Sequence, residues 1–145
     1  MDFINRIIHA LTQTHPLHPM LVHFPIALTG AAAFFILLAV WKKSKTLEQT
    51  AFANIVLATF GTVAAGITGM MDNIKNYNGA APNAIVKITL AAMLLVITAW
   101  TSIARWRNPN LFESRSKPWY IAAYLVSFML AIVLAFLGGV ILYGF

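Results

Sequence analysis

Three histidines and three prolines are gathered in one short stretch, residues 15–25, immediately before a long apolar run. Neutral imidazole is a ligand for Zn, Cu, Fe and Ni. His15 and His18 are three residues apart, and His18 and His23 are five apart. In an extended, proline-rich segment these three rings can converge on one metal ion. The stretch therefore predicts a transition-metal site.

Several other kinds of cofactor site are excluded or disfavoured by residues and motifs that the chain lacks. It has no cysteine, which excludes disulfides, iron–sulfur clusters, thiolate zinc sites and haem attached through CxxCH. Haem b usually takes one histidine from each of two helices, and no histidine follows His23, so haem b is less favoured than a transition metal. Phosphate-loop and GxSxG motifs are also missing, which leaves enzymatic activity open.

The composition is that of an integral membrane protein. The chain has 145 residues, of which 60% are hydrophobic and 10% charged, and its mean hydropathy is +0.78. Soluble domains are about 25% charged, and a domain this small cannot bury so much apolar surface in a core. The lipid bilayer is therefore the expected solvent. We predict a single all-α membrane domain over residues 1–145.

Four apolar stretches are long enough to cross the hydrocarbon, and short loops between them predict an up-down four-helix bundle. A short amphipathic pattern precedes them and predicts a helix lying at the membrane interface. The predicted interfacial helix covers residues 1–14, and the predicted transmembrane helices cover residues 19–41, 51–72, 84–105 and 119–143.

Three features of the first two predicted helices lead to expectations about their packing and their ends. Pro25 should kink the first helix or mark its start. Gly61, Ala65 and Gly69 are spaced four residues apart in the second helix, which favours the close approach of a neighbouring helix within the bundle. Asp72 is expected to end that helix.

The basic residues predict an orientation. Seven of the ten lie after the first and third helices, namely Lys42, Lys43, Lys45, Arg105, Arg107, Arg115 and Lys117. The positive-inside rule then places both termini outside the cytoplasm. The net charge of +6 is explained by these anchors, which argues against nucleic acid as a partner. The lipid bilayer is the expected partner, joined by a second copy of the chain or a redox protein.

This topology places the histidine stretch beside Asp72 and Lys87. A charge inside the membrane boundary is costly unless it has a partner or reaches water. We expect Lys87 to pair with Asp72 and His23 to extend this network by pointing into the bundle. Asp72 would also support the three histidines at a metal. In the alternative, Lys87 extends outward to water and Asp72 is simply solvated.

The segment from His18 to Leu28 resembles the signature of an uncharacterised bacterial family of four-helix membrane proteins with a domain of unknown function. Thr68-Gly69-x-x-Asp72 and Gly138-Gly139 are similar to the same family. The resemblance implies a multi-pass protein of the bacterial inner membrane. It also implies a link to redox or metal chemistry, since similar domains occur joined to cytochrome c-type modules. Members often carry a further histidine near the start of the third helix, where this chain instead has Lys87.

Three functions remain open. The first is a redox-linked membrane protein with a metal or haem at the outer face. The second is a non-catalytic membrane subunit or assembly factor in which the same polar residues form a structural network. The third, a small transporter, ranks last because four short helices leave little room for alternating access.

Overall fold

The computed structural model describes residues 3–5 and 17–143, and over these ranges the fold is all-α. Residues 3–5 are helical and exposed, while the remainder of the predicted interfacial helix and His15 lie outside the described residues. The long helices are α1 (Leu17–Lys42), α2 (Lys45–Tyr77), α3 (Ala84–Arg107) and α4 (Lys117–Tyr143), and a 3-10 helix (Leu111–Glu113) precedes α4.

Each long helix contains a span long and apolar enough to cross a membrane. Each also packs against two others, α1 against α2 and α4, and α3 against the same two. The helices therefore form an up-down bundle, which confirms the predicted fold. We call the end with the α1–α2 and α3–α4 loops the basic end. The opposite end, with the start of α1 and the α2–α3 loop, is the histidine end.

Helix α2 is longer than the sequence predicted. Ser44 caps its start, where the Ser44 hydroxyl accepts from the Leu47 N–H at 3.4 Å. At its other end the helix runs through Asp72 and stops at Asn78, which has a left-handed φ of 49°. The prediction that Asp72 ends the helix is wrong, because polar residues continue it to Tyr77. At 1.5 Å per residue α2 is about 50 Å long, so its ends extend beyond a hydrocarbon core of about 30 Å.

Close approach of α1 and α2 depends on the predicted small-residue stripe. A Cβ on Gly61 would lie 3.2 Å from Pro25 Cδ, and Ala65 is buried. The stripe therefore packs within the chain, as predicted. Pro25 lies inside α1 and does not mark its start. The Thr29 hydroxyl donates to the Pro25 carbonyl at 2.6 Å and so stays satisfied in this buried turn.

The largest buried cluster lies toward the basic end. The 3-10 helix turns Leu111 and Phe112 inward, where they cover the first turn of α4. The other members of the cluster come from α1, α2 and α4, and are Ala32, Ile36, Ala39, Ala51, Ile55, Tyr120 and Tyr124. The loop between α3 and α4 is therefore part of the core rather than a simple connection.

Candidate polar sites at the two ends of the bundle

His18, in the first turn of α1, packs directly on α2. Its ring lies over Gly69, where a Cβ would stand only 2.8 Å from His18 Cε1. Its Nδ1 lies 3.4 Å from the Thr68 hydroxyl. Only glycine at position 69 leaves room for the His18 ring. The close packing of His18 on α2 therefore depends on Gly69.

The hydrogen bonds of Thr68 assign the tautomer of His18. The Thr68 hydroxyl donates its single hydrogen to the backbone, with Ala64 O at 2.9 Å and Ala65 O at 3.2 Å. We therefore infer that it accepts from His18 and that Nδ1 carries the hydrogen. This network assignment leaves the lone pair of the neutral ring on Nε2.

Asp72 and Lys87 lie at the same end of the bundle as His18 and Thr68, and we call these four residues the His18 cluster. Asp72 lies one turn after Thr68 on α2, and its carboxylate accepts from the Asn76 amide. Lys87, in the first turn of α3, is partly buried. The contacts of His18 with Gly69 and Thr68 join α1 and α2, while pairing of Lys87 with Asp72 stays a prediction.

His23 lies elsewhere, and the expectation that it points into the bundle is wrong. Its side chain is exposed, and its Nδ1 donates to the Pro19 carbonyl of the same helix at 2.5 Å. Five residues turn a helix by about 140°, so His18 and His23 cannot both face α2 once α1 is continuous through both. The prediction had assumed an extended, proline-rich segment.

The proposed metal ligands do not come together in the part of the chain that the structure describes. Over residues 3–5 and 17–143, no three His, Asp or Glu side chains form a group that could hold a metal ion. His18 and Asp72 share one end, His23 faces away from them, and His15 lies outside the described ranges. The His15, His18, His23 and Asp72 site therefore stays a prediction.

At the basic end, the structure contains a polar site that the sequence analysis missed. Glu48, in the first turn of α2, is fully buried. Arg105 of α3 holds it with two hydrogen bonds, Nε to Oε1 at 2.5 Å and Nη2 to Oε2 at 2.9 Å. Such bidentate pairs have strong, directional geometry. The Arg105 guanidinium also lies 5.4 Å from the centre of the Phe52 ring.

Two tyrosines of α4 complete this site. The Tyr120 hydroxyl donates to Glu48 Oε1 at 2.7 Å. Because that hydrogen is used, the Tyr124 hydroxyl must be the donor in its 2.8 Å contact with Tyr120. The hydrogen bonds therefore run from Tyr124 to Tyr120 to Glu48, with Arg105 donating from the other side. We call these four residues the buried quartet.

A signal for the buried quartet was present in the sequence. Glu48 is one of only four acidic residues and stands beside an apolar run, where an acid needs a partner. Tyr120 and Tyr124 are four apart, which places them on one helix face. Arg105 begins a basic segment, which is typical of a membrane anchor, whereas the structure places it inside the bundle on Glu48.

Comparison with known proteins assigns the fold to a family. A family model described as "Predicted membrane protein (DUF2231)" matches residues 14–145. No curated protein and no solved structure gives a significant match. The matched region includes all four long helices, the His18 cluster and the buried quartet.

Proposed function

Because the chain belongs to the DUF2231 family of predicted membrane proteins, we propose that it is a non-catalytic membrane subunit or assembly factor held in shape by its polar clusters. One observation carries this proposal, namely that the His18 ring lies over Gly69 with its Nδ1 3.4 Å from the Thr68 hydroxyl. That contact uses the histidine as a link between helices.

The energetics of the bilayer support this structural role. Apolar packing alone discriminates poorly between helix arrangements in lipid, and polar contacts between helices contribute about 0.6 kcal/mol each, up to about 1.7. The contact of His18 with Thr68 links α1 and α2, and the buried quartet links α2, α3 and α4. Every buried side-chain nitrogen or oxygen in the described residues has a hydrogen-bond partner. The two clusters together fix one arrangement of the four helices.

A role as a subunit is supported by the uneven burial of the helices. Within the chain, α3 and α4 bury a smaller share of their spans than α1 does. Their outward faces carry large apolar side chains such as Val96, Trp100 and Phe136. These faces suit either lipid or another membrane protein, including a second copy of this chain or a redox partner.

A second candidate function is favoured by the tautomer of His18. A ring that donates through Nδ1 presents Nε2 as a metal ligand, and this is the usual arrangement of ligating histidines. In this candidate, His18 holds a transition metal with Asp72 and His15, or acts as one axial ligand of haem b shared with a second copy. The protein would then be redox-linked.

Spectroscopy on protein purified in mild detergent separates the two functions. For the structural role we expect no Soret band and no metal in stoichiometric amount. A Soret band or one metal per chain that is lost in His18→Ala, and kept in His23→Ala, would instead establish the second function. His23 is a suitable control because it is exposed on the same helix.

We also propose an orientation in a bacterial inner membrane. The basic end faces the cytoplasm, and both termini lie outside it. Exposed tryptophans at the basic end, Trp41, Trp106 and Trp119, mark a membrane interface beside the lysines and arginines. The absence of cysteine allows a direct test by single substitution. In intact cells, a membrane-impermeant maleimide should label Ala80→Cys at the histidine end and leave Ser116→Cys unlabelled. The opposite pattern would reverse the orientation.

A further inference from the structure

The basic end of the bundle carries an excess of positive charge on its surface. Seven basic residues lie at this end, together with the acids Glu48 and Glu113. Glu48 is buried against Arg105, and Glu113 forms an ion pair with Lys45. Within residues 3–5 and 17–143, the other five cations of this end have no carboxylate partner. We call them the basic surface, and they are Lys42, Lys43, Arg107, Arg115 and Lys117.

The two loops that carry most of these cations lie side by side. Lys45 Nζ, at the start of α2, is 3.6 Å from Glu113 Oε1 in the 3-10 helix. Lys43 and Arg115 each lie two residues from a member of this ion pair, and both are exposed. The α1–α2 loop and the α3–α4 loop therefore present their cations on one shared surface rather than on two separate ones.

Exposed tryptophans place the basic surface at the level of the lipid head groups. Trp41, Trp106 and Trp119 lie at the end of α1, the end of α3 and the start of α4, and all three are exposed. Lys42 follows Trp41 directly, and its Nζ lies 5.2 Å from the centre of the Trp41 ring. Arg107 follows Trp106 in the same way. Because indole rings collect at the membrane–water interface, these cations lie at the depth of the lipid phosphates.

The sign of the charge favours lipids whose head groups are negative overall. Phosphatidylcholine also has a phosphate, but its quaternary ammonium balances that charge and is itself repelled by the five cations. Phosphatidylglycerol presents its phosphate without a competing positive group. Each Lys or Arg close to an anionic membrane surface contributes roughly a fivefold gain in binding. Several such residues on one surface therefore select anionic lipids.

We propose that the basic surface binds the head groups of anionic phospholipids, so that these lipids are enriched around this end of the bundle. The surface is separate from the His18 cluster and from the buried quartet. The proposal therefore does not rest on the structural role proposed above, nor on which side of the membrane the basic end faces.

The tryptophans of the basic end allow a direct test, because brominated lipids quench indole fluorescence on contact. Full-length protein carrying Trp100→Phe, which removes a deeper tryptophan of α3, is placed in mixed vesicles of phosphatidylcholine and phosphatidylglycerol. Brominating one lipid at a time gives the binding constant of phosphatidylglycerol relative to phosphatidylcholine. We expect a ratio of about threefold or more in low salt. It should approach unity in about 1 M salt, where charges are screened beyond about 3 Å.

Substitutions at the two ends of the bundle locate the effect. Arg115→Gln should lower the ratio, and adding Lys43→Gln should bring the total fall to about twofold or more. Lys75→Gln is the matched control for Arg115→Gln, because it removes an exposed cation at the histidine end and should leave the ratio unchanged. Glu113→Gln removes an exposed acid from the basic end and should raise the ratio, an effect that misfolding does not produce.

A ratio near unity in low salt, before any loop charge is changed, would overturn the proposal. So would a ratio that Lys43→Gln and Arg115→Gln leave unchanged, or one that Lys75→Gln lowers as much as Arg115→Gln does. Binding of soluble hexaglutamate without any lipid preference would assign the surface to an acidic protein partner and would likewise overturn it.

Discussion

Replacing Glu48 by glutamine should lower the free energy of unfolding by about 3–5 kcal/mol, because the buried Arg105 charge then lacks its carboxylate. The side chain keeps its size, so the loss reports on charge and hydrogen bonding rather than on a cavity. Thermal or denaturant unfolding of the detergent-purified protein measures this change. Glutamine keeps one acceptor oxygen and replaces the other with a donor NH₂, so it cannot accept from Tyr120 and from both Arg105 nitrogens as the carboxylate does.

Glu113→Gln is the matched control. Glu113 forms the exposed ion pair with Lys45 at 3.6 Å, and exposed pairs contribute about 0–1 kcal/mol. A double substitution, Glu48→Leu with Arg105→Met, should be more stable than either single change, because a buried ion pair exchanged for apolar side chains is often tolerated. Equal effects of Glu48→Gln and Glu113→Gln would contradict the burial of the quartet.

The second large effect is expected at His18. His18→Ala removes the ring from over Gly69 and the contact with Thr68, and should cost about 1–2 kcal/mol, near the upper range for polar contacts between membrane helices. His23→Ala should stay within about 0.5 kcal/mol, as expected for exposed positions. Unfolding of the two variants under the same conditions measures the difference.

A double-mutant cycle separates helix packing from other causes. Gly69→Ala places a Cβ 2.8 Å from His18 Cε1 and should be destabilising in the native chain. In the His18→Ala background the same change should cost little, since the ring is gone. Additive effects of the two substitutions would show that His18 and Gly69 do not interact.

Much of the fold follows from the sequence because membrane helices are specified locally. Each needs about 20 apolar residues, and the chain provides four such stretches with short loops. The ends of α2 were missed because Lys45 and the polar residues beyond Asp72 belong to a helix that extends past the hydrocarbon. Hydropathy reports where lipid contact ends, whereas backbone hydrogen bonds decide where the helix ends.

The polar sites were less predictable because they depend on which face of each helix meets a neighbour. To decide which of His18 and His23 faces α2, one must know where α1 begins. The prolines in this segment make that point hard to read from the sequence. Glu48 and Arg105 are 57 positions apart in the sequence. Each lies on a helix whose own sequence does not identify its partner. Composition indicated that such an acid needs a partner, but only the packing of α2, α3 and α4 identifies it.

The 3-10 helix and the buried quartet both lie at the basic end of the bundle. At the basic end, Leu111 and Phe112 cover the core, and several hydrogen bonds cross between three helices. At the histidine end, within the described residues, the His18 ring packs on Gly69 and its Nδ1 lies 3.4 Å from the Thr68 hydroxyl. We therefore expect the basic end to be the more rigid part of the described bundle.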